Sequence, residues 1–417
     1  MSPQATATSP AGTQLTNNSG VWKNPKIWSL AIGQVLVWAG LFYLFPALLT
    51  HWEAHFGWSR DLLTFGFSGA LITAAVAGLA AGRIIDRGHG RILMAGSALA
   101  GGALLAGLPQ VSAIWQFYLI WLALGVAMAG CLYEPCFAYL TRLYQAQAKR
   151  PIVMVTLVAG FAGTICFPVS SAMTNAFNWQ ASIWLFAALN CFVAAPLLWF
   201  GAGGENVTTP GQIKPAPSPT FAMTIRPLLR QPTFWALAIT FGSLSINHGM
   251  IISHILPLLE SRGVLPAQAV IAASLIGVAQ VLGRLSLLPL EQHISMIVVC
   301  GLSLVGLSLA SVGLAFAGIS VIFLGAFVLL QGSAIGIASI AKPIVTAEVL
   351  GRTNFGTISA MVSILYVWGF ALAPGLAGFI WMSSGYDVLL KTTFALALLG
   401  IISLFVASRY QNKSHTR

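Results

Sequence analysis

The 417 residues combine 57% apolar side chains with only 7% charged ones, and the mean hydropathy is +0.85. Since a soluble domain is roughly 45–50% apolar and about 25% charged, this composition excludes a soluble protein and indicates a chain that crosses a membrane many times. The net charge of +11 does not indicate nucleic acid as a partner, because the basic residues are scattered among the polar segments and form no continuous stripe.

Residues 1–20 form the first segment and are rich in Ser, Thr, Ala, Asn and Gln, with no charged side chain. A cleaved signal peptide needs a basic start followed by an apolar run, so this segment does not fit one. Its low hydrophobicity is typical of disorder. We therefore expect residues 1–26 to be a disordered tail, with the first membrane helix beginning near Lys26.

Twelve apolar runs follow, each close to the roughly 20 residues that a helix needs to cross a bilayer. They are residues 27–49, 62–84, 92–109, 113–140, 152–174, 180–201, 233–258, 266–288, 294–316, 319–341, 353–378 and 388–408. A stretch rich in Pro, Gly, Ser and Thr, residues 202–232, separates the first six runs from the last six and is typical of a flexible linker. The sequence therefore predicts an all-α integral membrane protein of twelve transmembrane helices, with six-helix bundles at 27–201 and 233–408 and a short tail at 409–417.

The distribution of Lys and Arg predicts the orientation of these helices. If the N-terminus is cytoplasmic, all but three of the 20 basic residues lie on the cytoplasmic side. The three on the outer side are Arg60, Arg262 and Lys391. By the positive-inside rule, both termini and the linker are expected in the cytoplasm. We expect the chain to be a multi-pass protein of a bacterial inner membrane and to act as a monomer.

A dense ionic loop lies between predicted helices 2 and 3, with the sequence Gly82-Arg83-Ile84-Ile85-Asp86-Arg87-Gly88-His89-Gly90-Arg91. A charge at the bilayer centre is expensive, so the loop is expected on one membrane face. Its spacing, Gly-x-x-x-Asp-Arg-x-x-Gly-Arg, resembles the signature between helices 2 and 3 of the major facilitator superfamily. The resemblance implies a secondary transporter built from two parallel halves, with a substrate site near the bilayer midplane.

We interpret Gly82, Asp86, Arg87, Gly90 and Arg91 as a conformational latch. Asp86 is placed to accept hydrogen bonds from an arginine or from the exposed amides at the start of a neighbouring helix. Such a latch would hold one state of the transporter and break in the other. The alternative is that the arginines only face anionic lipid and set the topology.

Two short strings resemble the monocarboxylate and oxalate/formate branch of the superfamily: residues 56–60, FGWSR, and residues 351–356, GRTNFG. That branch has an aspartate and an arginine four residues apart on helix 8, where this chain has Gln280 and Arg284, so only the arginine carries over. Residues 121–125 lack the arginine and glutamine that drug–proton antiporters have on helix 4. Export of drugs or metabolites is therefore the alternative, and uptake is favoured.

Glu134 is the most informative polar residue inside a predicted span, because a carboxylate in the hydrocarbon is costly. Pro135 follows it and removes one amide from the helix, which loosens the helix and frees a carbonyl. Glu134 could titrate, bind a cationic group, or pair with Arg142, which lies roughly two turns further along the same face.

Predicted helix 7 carries Asn247 and His248, followed by Gly249, which makes the helix easier to bend. An imidazole in this position could respond to a proton gradient or could be satisfied by a hydrogen bond between helices. We expect Glu134 and His248 to face each other across the two halves and to couple ligand binding to protonation.

Further substrate or coupling candidates lie on the helices that line the cavity in the superfamily or carry polar and aromatic groups. They are Gln34, Tyr43, Gln280, Arg284, Gln331, Tyr366 and Trp368. Tyrosine and tryptophan suit an amphipathic ligand, although they also suit the interfacial belt of a membrane protein. Lys342, toward the cytoplasmic end of predicted helix 10, is interpreted as a snorkelling or gate residue.

The sequence offers no parts for an enzyme. A phosphate-binding loop of the Gly-x-x-x-x-Gly-Lys-Ser/Thr type is absent, and His51 and His55 lack the adjacent glutamate of a zinc protease. The five cysteines have no metal-type spacing. We therefore expect neither a cofactor nor a metal. The expected partner is a small organic solute, anionic or amphipathic, with protons as an optional coupling ion. A membrane-embedded solute sensor is the alternative from another class.

Overall fold

The structure is a computed structural model that describes residues 22–203, 221–290 and 294–415. Residues 1–21 of the expected N-terminal tail, residues 204–220 of the expected linker and residues 416–417 lie outside the described residues. Residues 291–293, between two helices, also lie outside them. Residues 409–415, expected as a C-terminal tail, continue the last helix. The described residues form helices and turns, and no strand occurs among them.

The first six spanning helices, numbered α1 to α6, form the N-terminal set. They are Pro25–Phe56, Leu62–Asp86, Gly90–Gln110, Ile114–Tyr144, Lys149–Ala176 and Trp179–Gly201. Three of them are interrupted: α1 by a π-helical turn at Ala39–Tyr43, α6 by another at Asn190–Ala194, and α4 by an extended residue at Leu132. Interruptions of this kind often lie at functional positions in a helix.

The C-terminal set begins after a short helix, Phe221–Leu229, which occupies part of the predicted linker. Its first four spanning helices, α7 to α10, are Pro232–Ser253, Ala267–Leu287, Met296–Ala315 and Val321–Leu350. The last helix, Phe355–His415, contains Gly385 at φ 77° and ψ 178°, a conformation that only glycine adopts readily. The chain turns there, so residues 355–384 form α11 and residues 386–415 form α12. The described residues thus confirm the predicted all-α fold of twelve membrane helices.

Side-chain caps explain where several helices begin. Asn24 accepts a hydrogen bond from the amide of Lys26, directly before a proline in the first turn of α1. The side chains of Ser59, Asn178, Ser295 and Ser320 accept amides in the same way at the starts of α2, α6, α9 and α10. These side chains satisfy amides that the first helical turn leaves unpaired.

The two sets contact each other at the end of the molecule that carries Asp86. Here α2 packs against α11, the end of α4 packs against α10 and α11, and α5 packs against α8 and α10. The closest approach joins Gly82 to Gly356, where a Cβ atom on Gly82 would lie 2.3 Å from the Gly356 carbonyl oxygen. Only a residue without a side chain permits this contact, so the two glycines close the molecule at this end.

Candidate functional site

Asp86 lies at the end of α2 and contacts the first turn of α11 with both carboxylate oxygens. Oδ1 accepts the amide of Gly356 at 2.9 Å, and Oδ2 accepts the amide of Thr357 at 3.0 Å and its hydroxyl at 2.8 Å. A carboxylate at a helix N-terminus satisfies unpaired amides and interacts favourably with the helix dipole. The contact therefore stabilises the closed arrangement of the two sets.

The arginines around Asp86 have separate contacts. Arg142 does not pair with Glu134, although the spacing allowed it: it donates to the backbone carbonyls of Ile85 and Asp86. Arg91 donates to the carbonyl of Trp199 at 2.9 Å and stacks on its ring. Arg87 is exposed, and its side chain makes no hydrogen bond to a described residue. The arginine that holds the end of α2 is therefore Arg142 and not Arg87.

Glu134 forms an ion pair that crosses from one set to the other. Its Oε1 lies 2.5 Å from the Nζ of Lys342 on α10, and its Oε2 accepts the hydroxyl of Ser359 on α11 at 3.1 Å. Lys342 also donates to Ser363 at 3.1 Å, and its Nζ lies 4.4 Å from the ring centroid of Tyr366. The ammonium group faces the interior, so the snorkelling interpretation of Lys342 is wrong.

Arg284 on α8 is a second buried cation, with 9% of its surface exposed. Its Nε donates to the hydroxyl of Ser339 at 3.3 Å, and the guanidinium interacts electrostatically with Tyr43, Tyr133 and Tyr366. Among the described residues, no carboxylate lies within ion-pair distance of it. Arg284 is thus a buried cation whose side-chain hydrogen-bond partner among the described residues is a neutral hydroxyl group.

The charges in this region do not cancel. Glu134 neutralises Lys342, and Arg284 remains without an anion, so the interior of the closed end carries an excess positive charge. Removing a charge from water is expensive unless a partner compensates it. A negative charge close to Arg284 would lower this cost. We call Glu134, Lys342, Arg284 and Tyr366 the charged cluster.

The break in α4 beside Glu134 has a local cause. Pro135 has no amide hydrogen, so the carbonyl of Cys131, four residues earlier, loses its helical donor. Gln34 on α1 supplies one instead, with its Nε2 atom 2.8 Å from the Cys131 oxygen. The Gln34 side chain is fully buried. It stabilises the break that places Tyr133 and Glu134 toward the interior.

A second set of polar candidates forms a separate, uncharged cluster among α7, α10 and α12. Asn247 donates to the backbone carbonyl of Thr393 at 2.8 Å, and Gln331 lies 3.5 Å from Asn247 and 3.3 Å from the Nδ1 of His248. We call Asn247, His248, Gln331 and Thr393 the amide chain. No hydrogen bond among the described residues joins it to Glu134, so Glu134 and His248 lie in two separate hydrogen-bonded clusters.

The remaining candidates differ in their surroundings. Tyr43 packs against Gly163 of α5, with its ring 3.2 Å from where a Cβ would lie, and it faces Arg284. The backbone oxygen of Gln280 would lie 2.1 Å from a Cβ atom on Gly336 of α10, so α8 and α10 pack closely at this position. Trp368 follows Tyr366 by two residues, which places it on the opposite side of the helix, and it is 46% exposed. Trp368 therefore does not join the charged cluster.

Sequence reasoning missed the partners of Glu134, because Lys342 is 208 residues away and Ser359 is 225 residues away. One signal was available: Lys342 is the only charged residue in residues 319–345. A lysine inside an apolar run is a functional candidate by default. Its position near a predicted helix end led instead to the snorkelling interpretation.

Comparisons with known proteins agree with this architecture. The sequence profile of the Major Facilitator Superfamily matches residues 30–341. A bacterial homologue of the iron transporter ferroportin, solved in an outward-facing state, has a TM-score of 0.70 and 15% identity, over 92% of this chain and 99% of that one. The Escherichia coli fucose:proton symporter FucP has a TM-score of 0.68 and 15% identity, over 92% of this chain and 98% of that one. No curated protein sequence matches the chain. At this identity the solved structures show the shared fold alone.

Proposed function

The chain belongs to the major facilitator superfamily, and from this membership we propose that it is a secondary transporter that moves a small organic anion across the bacterial inner membrane. One observation carries the proposal: Arg284 is buried without a carboxylate partner, beside an ion pair that already uses the nearby carboxylate. A bound anion would supply the missing negative charge. The short resemblance of residues 56–60 to the monocarboxylate and oxalate/formate branch supports the same substrate class.

The contacts between the two sets support alternating access as the transport mechanism. Closure at the Asp86 end rests on the Gly82–Gly356 contact, on Asp86 at the start of α11, and on the Glu134–Lys342 pair. All three would break when the sets separate. We propose that this end is cytoplasmic, with both termini on the same side, as the distribution of Lys and Arg indicates.

Proton coupling would act through Glu134. An anion that binds near Arg284 also attracts Lys342, and it would weaken the hold of Lys342 on Glu134. A carboxylate that loses its cationic partner in a low-dielectric interior tends to take up a proton. Binding of the anion would thereby be linked to protonation of Glu134 and to release of one contact between the sets.

Flux into proteoliposomes with an imposed pH gradient tests the proposal. The screen covers monocarboxylates, aromatic acids and vitamins, each compared with its neutral amide or ester. We expect accumulation of at least one anion and little movement of its neutral analogue. Transport of neutral or cationic solutes alone would reject the anion proposal. Binding of a solute without any flux would instead favour a sensor.

A further inference from the structure

The amide chain contains a histidine whose protonation state the surrounding hydrogen bonds determine. His248 lies on α7, and its Nδ1 atom is 3.3 Å from the side-chain amide of Gln331 on α10. The ring of Phe370 on α11 lies 6.2 Å from the imidazole. Neither neighbour titrates, and none of the contacts recorded for His248 involves a charged group.

The donor and acceptor of each hydrogen bond in the amide chain can be assigned by starting from the Thr393 carbonyl. The backbone carbonyl of Thr393 can only accept, so the atom of Asn247 that faces it at 2.8 Å is the Nδ2 amide. The Oδ1 atom of Asn247 must then face Gln331, and it too can only accept. The atom that Gln331 presents to Asn247 is therefore its Nε2 amide.

The same amide nitrogen of Gln331 lies beside Nδ1 of His248. Because an amide nitrogen donates and never accepts, Nδ1 must be the unprotonated, accepting nitrogen of the ring. The proton of a neutral imidazole is then on Nε2. Gln331 is fully buried, and its Oε1 has no partner among the described residues. Either orientation of Gln331 leaves one of its amide atoms unpaired, so Asn247 decides the orientation.

The Nε2 atom of His248 is not completely closed to solvent. It makes no hydrogen bond to a described residue, and it is not among the buried polar atoms that are closed to solvent and lack a partner. The residue is half-buried, with Asn247 beneath it fully buried. The Nε2–H group has no partner among the described residues and is free to donate to a bound molecule.

We infer that the amide chain holds His248 as the neutral Nε2–H tautomer and that this N–H is a substrate-binding donor for an uncharged oxygen, such as a hydroxyl or carbonyl group. Protonation of Nδ1 would require both amides to turn and would place the Asn247 oxygen against the Thr393 carbonyl. His248 thus binds without carrying a proton, and Asn247 and Gln331 are positioning residues.

The tautomer of His248 adds to the description of the substrate class, and this part of the inference rests on the proposed function. Gln331 and Lys342 lie on the same helix, eleven residues and roughly 16 Å of rise apart. A solute that contacts both the charged cluster and His248 would therefore meet them with different ends. The substrate is an anion with an uncharged oxygen acceptor at the end remote from its charged group.

Magic-angle-spinning NMR of the full chain in lipid bilayers, with isotope-labelled histidine, measures the tautomer without reference to transport. The His248 signals are those lost among the seven histidines in His248→Gln. We expect an unprotonated Nδ1 and a protonated Nε2 at neutral pH and at one unit below the ordinary histidine pKa of about 6.5. A protonated Nδ1 at either pH overturns the inference. In Gln331→Glu the carboxylate accepts from Nδ1, so the tautomer should change; an unchanged spectrum also overturns it.

Transport of the anion found in the flux screen tests the donor role. Glutamine can replace the Nε2–H donor, whereas phenylalanine fills the space without one. We expect KM to rise by roughly tenfold in His248→Phe and by less than about threefold in His248→Gln, as for loss of one hydrogen bond. His254→Gln is the matched control, because His254 directly follows the same helix and lies beside Tyr386. Equal KM values for His248→Phe and the parent would overturn the donor role. Absence of anion flux in the parent would reject the proposed function but would not affect the tautomer result.

Discussion

Glu134 and Lys342 join the two six-helix sets through an ion pair of 2.5 Å, with 32% and 10% of their side chains exposed. The pair lies in the interior of the closed end, where water screens it little. Glu134 also accepts from Ser359 and Lys342 donates to Ser363, so both charged groups have further hydrogen-bond partners on α11. Separation of the sets must break this pair, which makes it the contact most sensitive to a bound charge.

Replacement of Glu134 by glutamine should remove the pH dependence of transport while leaving exchange of the anion across the membrane. Glutamine keeps the size of the side chain but cannot be protonated, and Lys342 stays available to the anion. The measurement compares gradient-driven uptake with counterflow in proteoliposomes. Glu260→Gln, a change of an exposed carboxylate, is the control. If Glu134→Gln retains a pH dependence equal to that of the parent, Glu134 is not the coupling group.

Loss of Arg284 should affect anion binding more than any other single change in the charged cluster. We expect Arg284→Gln to lower uptake by roughly thirtyfold or more, because loss of a buried charged partner costs about 2–5 kcal/mol. Arg284→Lys keeps the charge without the planar fork and should be intermediate. Arg409→Gln, at an exposed position near the end of α12, should behave like the parent. Normal uptake in Arg284→Gln would show that the anion binds elsewhere.

The arginines near the latch differ in their contacts, so we expect their substitutions to differ in effect. Arg142→Lys should impair transport, since one ammonium replaces a guanidinium that donates to the two carbonyls at the end of α2. Arg87→Lys should change transport by less than about twofold, as is usual for an exposed position. Asp86→Asn should impair transport at near-normal abundance, because the first turn of α11 loses a charged acceptor. Initial uptake rates, corrected for the amount of protein, measure all three. A larger effect for Arg87→Lys than for Arg142→Lys would contradict this assignment.

A side chain at Gly82 should prevent closure of the sets. A Cβ there would meet the Gly356 oxygen at 2.3 Å, so Gly82→Val should favour the state open at this end and slow transport. Gly78→Val is the matched control on the same helix, because nothing lies within 4 Å of a Cβ at Gly78. Spin-label distances between the two sets at this end measure the opening. An unchanged distance in Gly82→Val would mean that the contact does not limit closure.

The helices were predictable because the bilayer sets their length, and the polar segments between them carry nearly all the charge. The partners of the site residues were not predictable from one sequence. Glu134 was a candidate only because a carboxylate inside the bilayer is energetically costly. Nothing near it in the sequence indicates that Lys342 is its partner. In the same way, local spacing suggested Arg142 for Glu134, whereas the break at Leu132 and the loop after α2 give Arg142 other acceptors. Contacts between sets depend on packing that no local pattern encodes.

The π-helical turn at Ala39–Tyr43 changes which residues of α1 share a face. Gln34 and Tyr43 are nine residues apart, a spacing that places side chains on opposite sides of a regular α-helix at 100° per residue. The π turn accommodates one additional residue, so the two side chains differ by about 80° and both point toward the interior. If the same residues formed a regular α-helix, Tyr43 would turn away from the interior without a change to any residue of the charged cluster. The length of this turn, rather than its composition, therefore determines whether α1 contributes a hydroxyl group to the site.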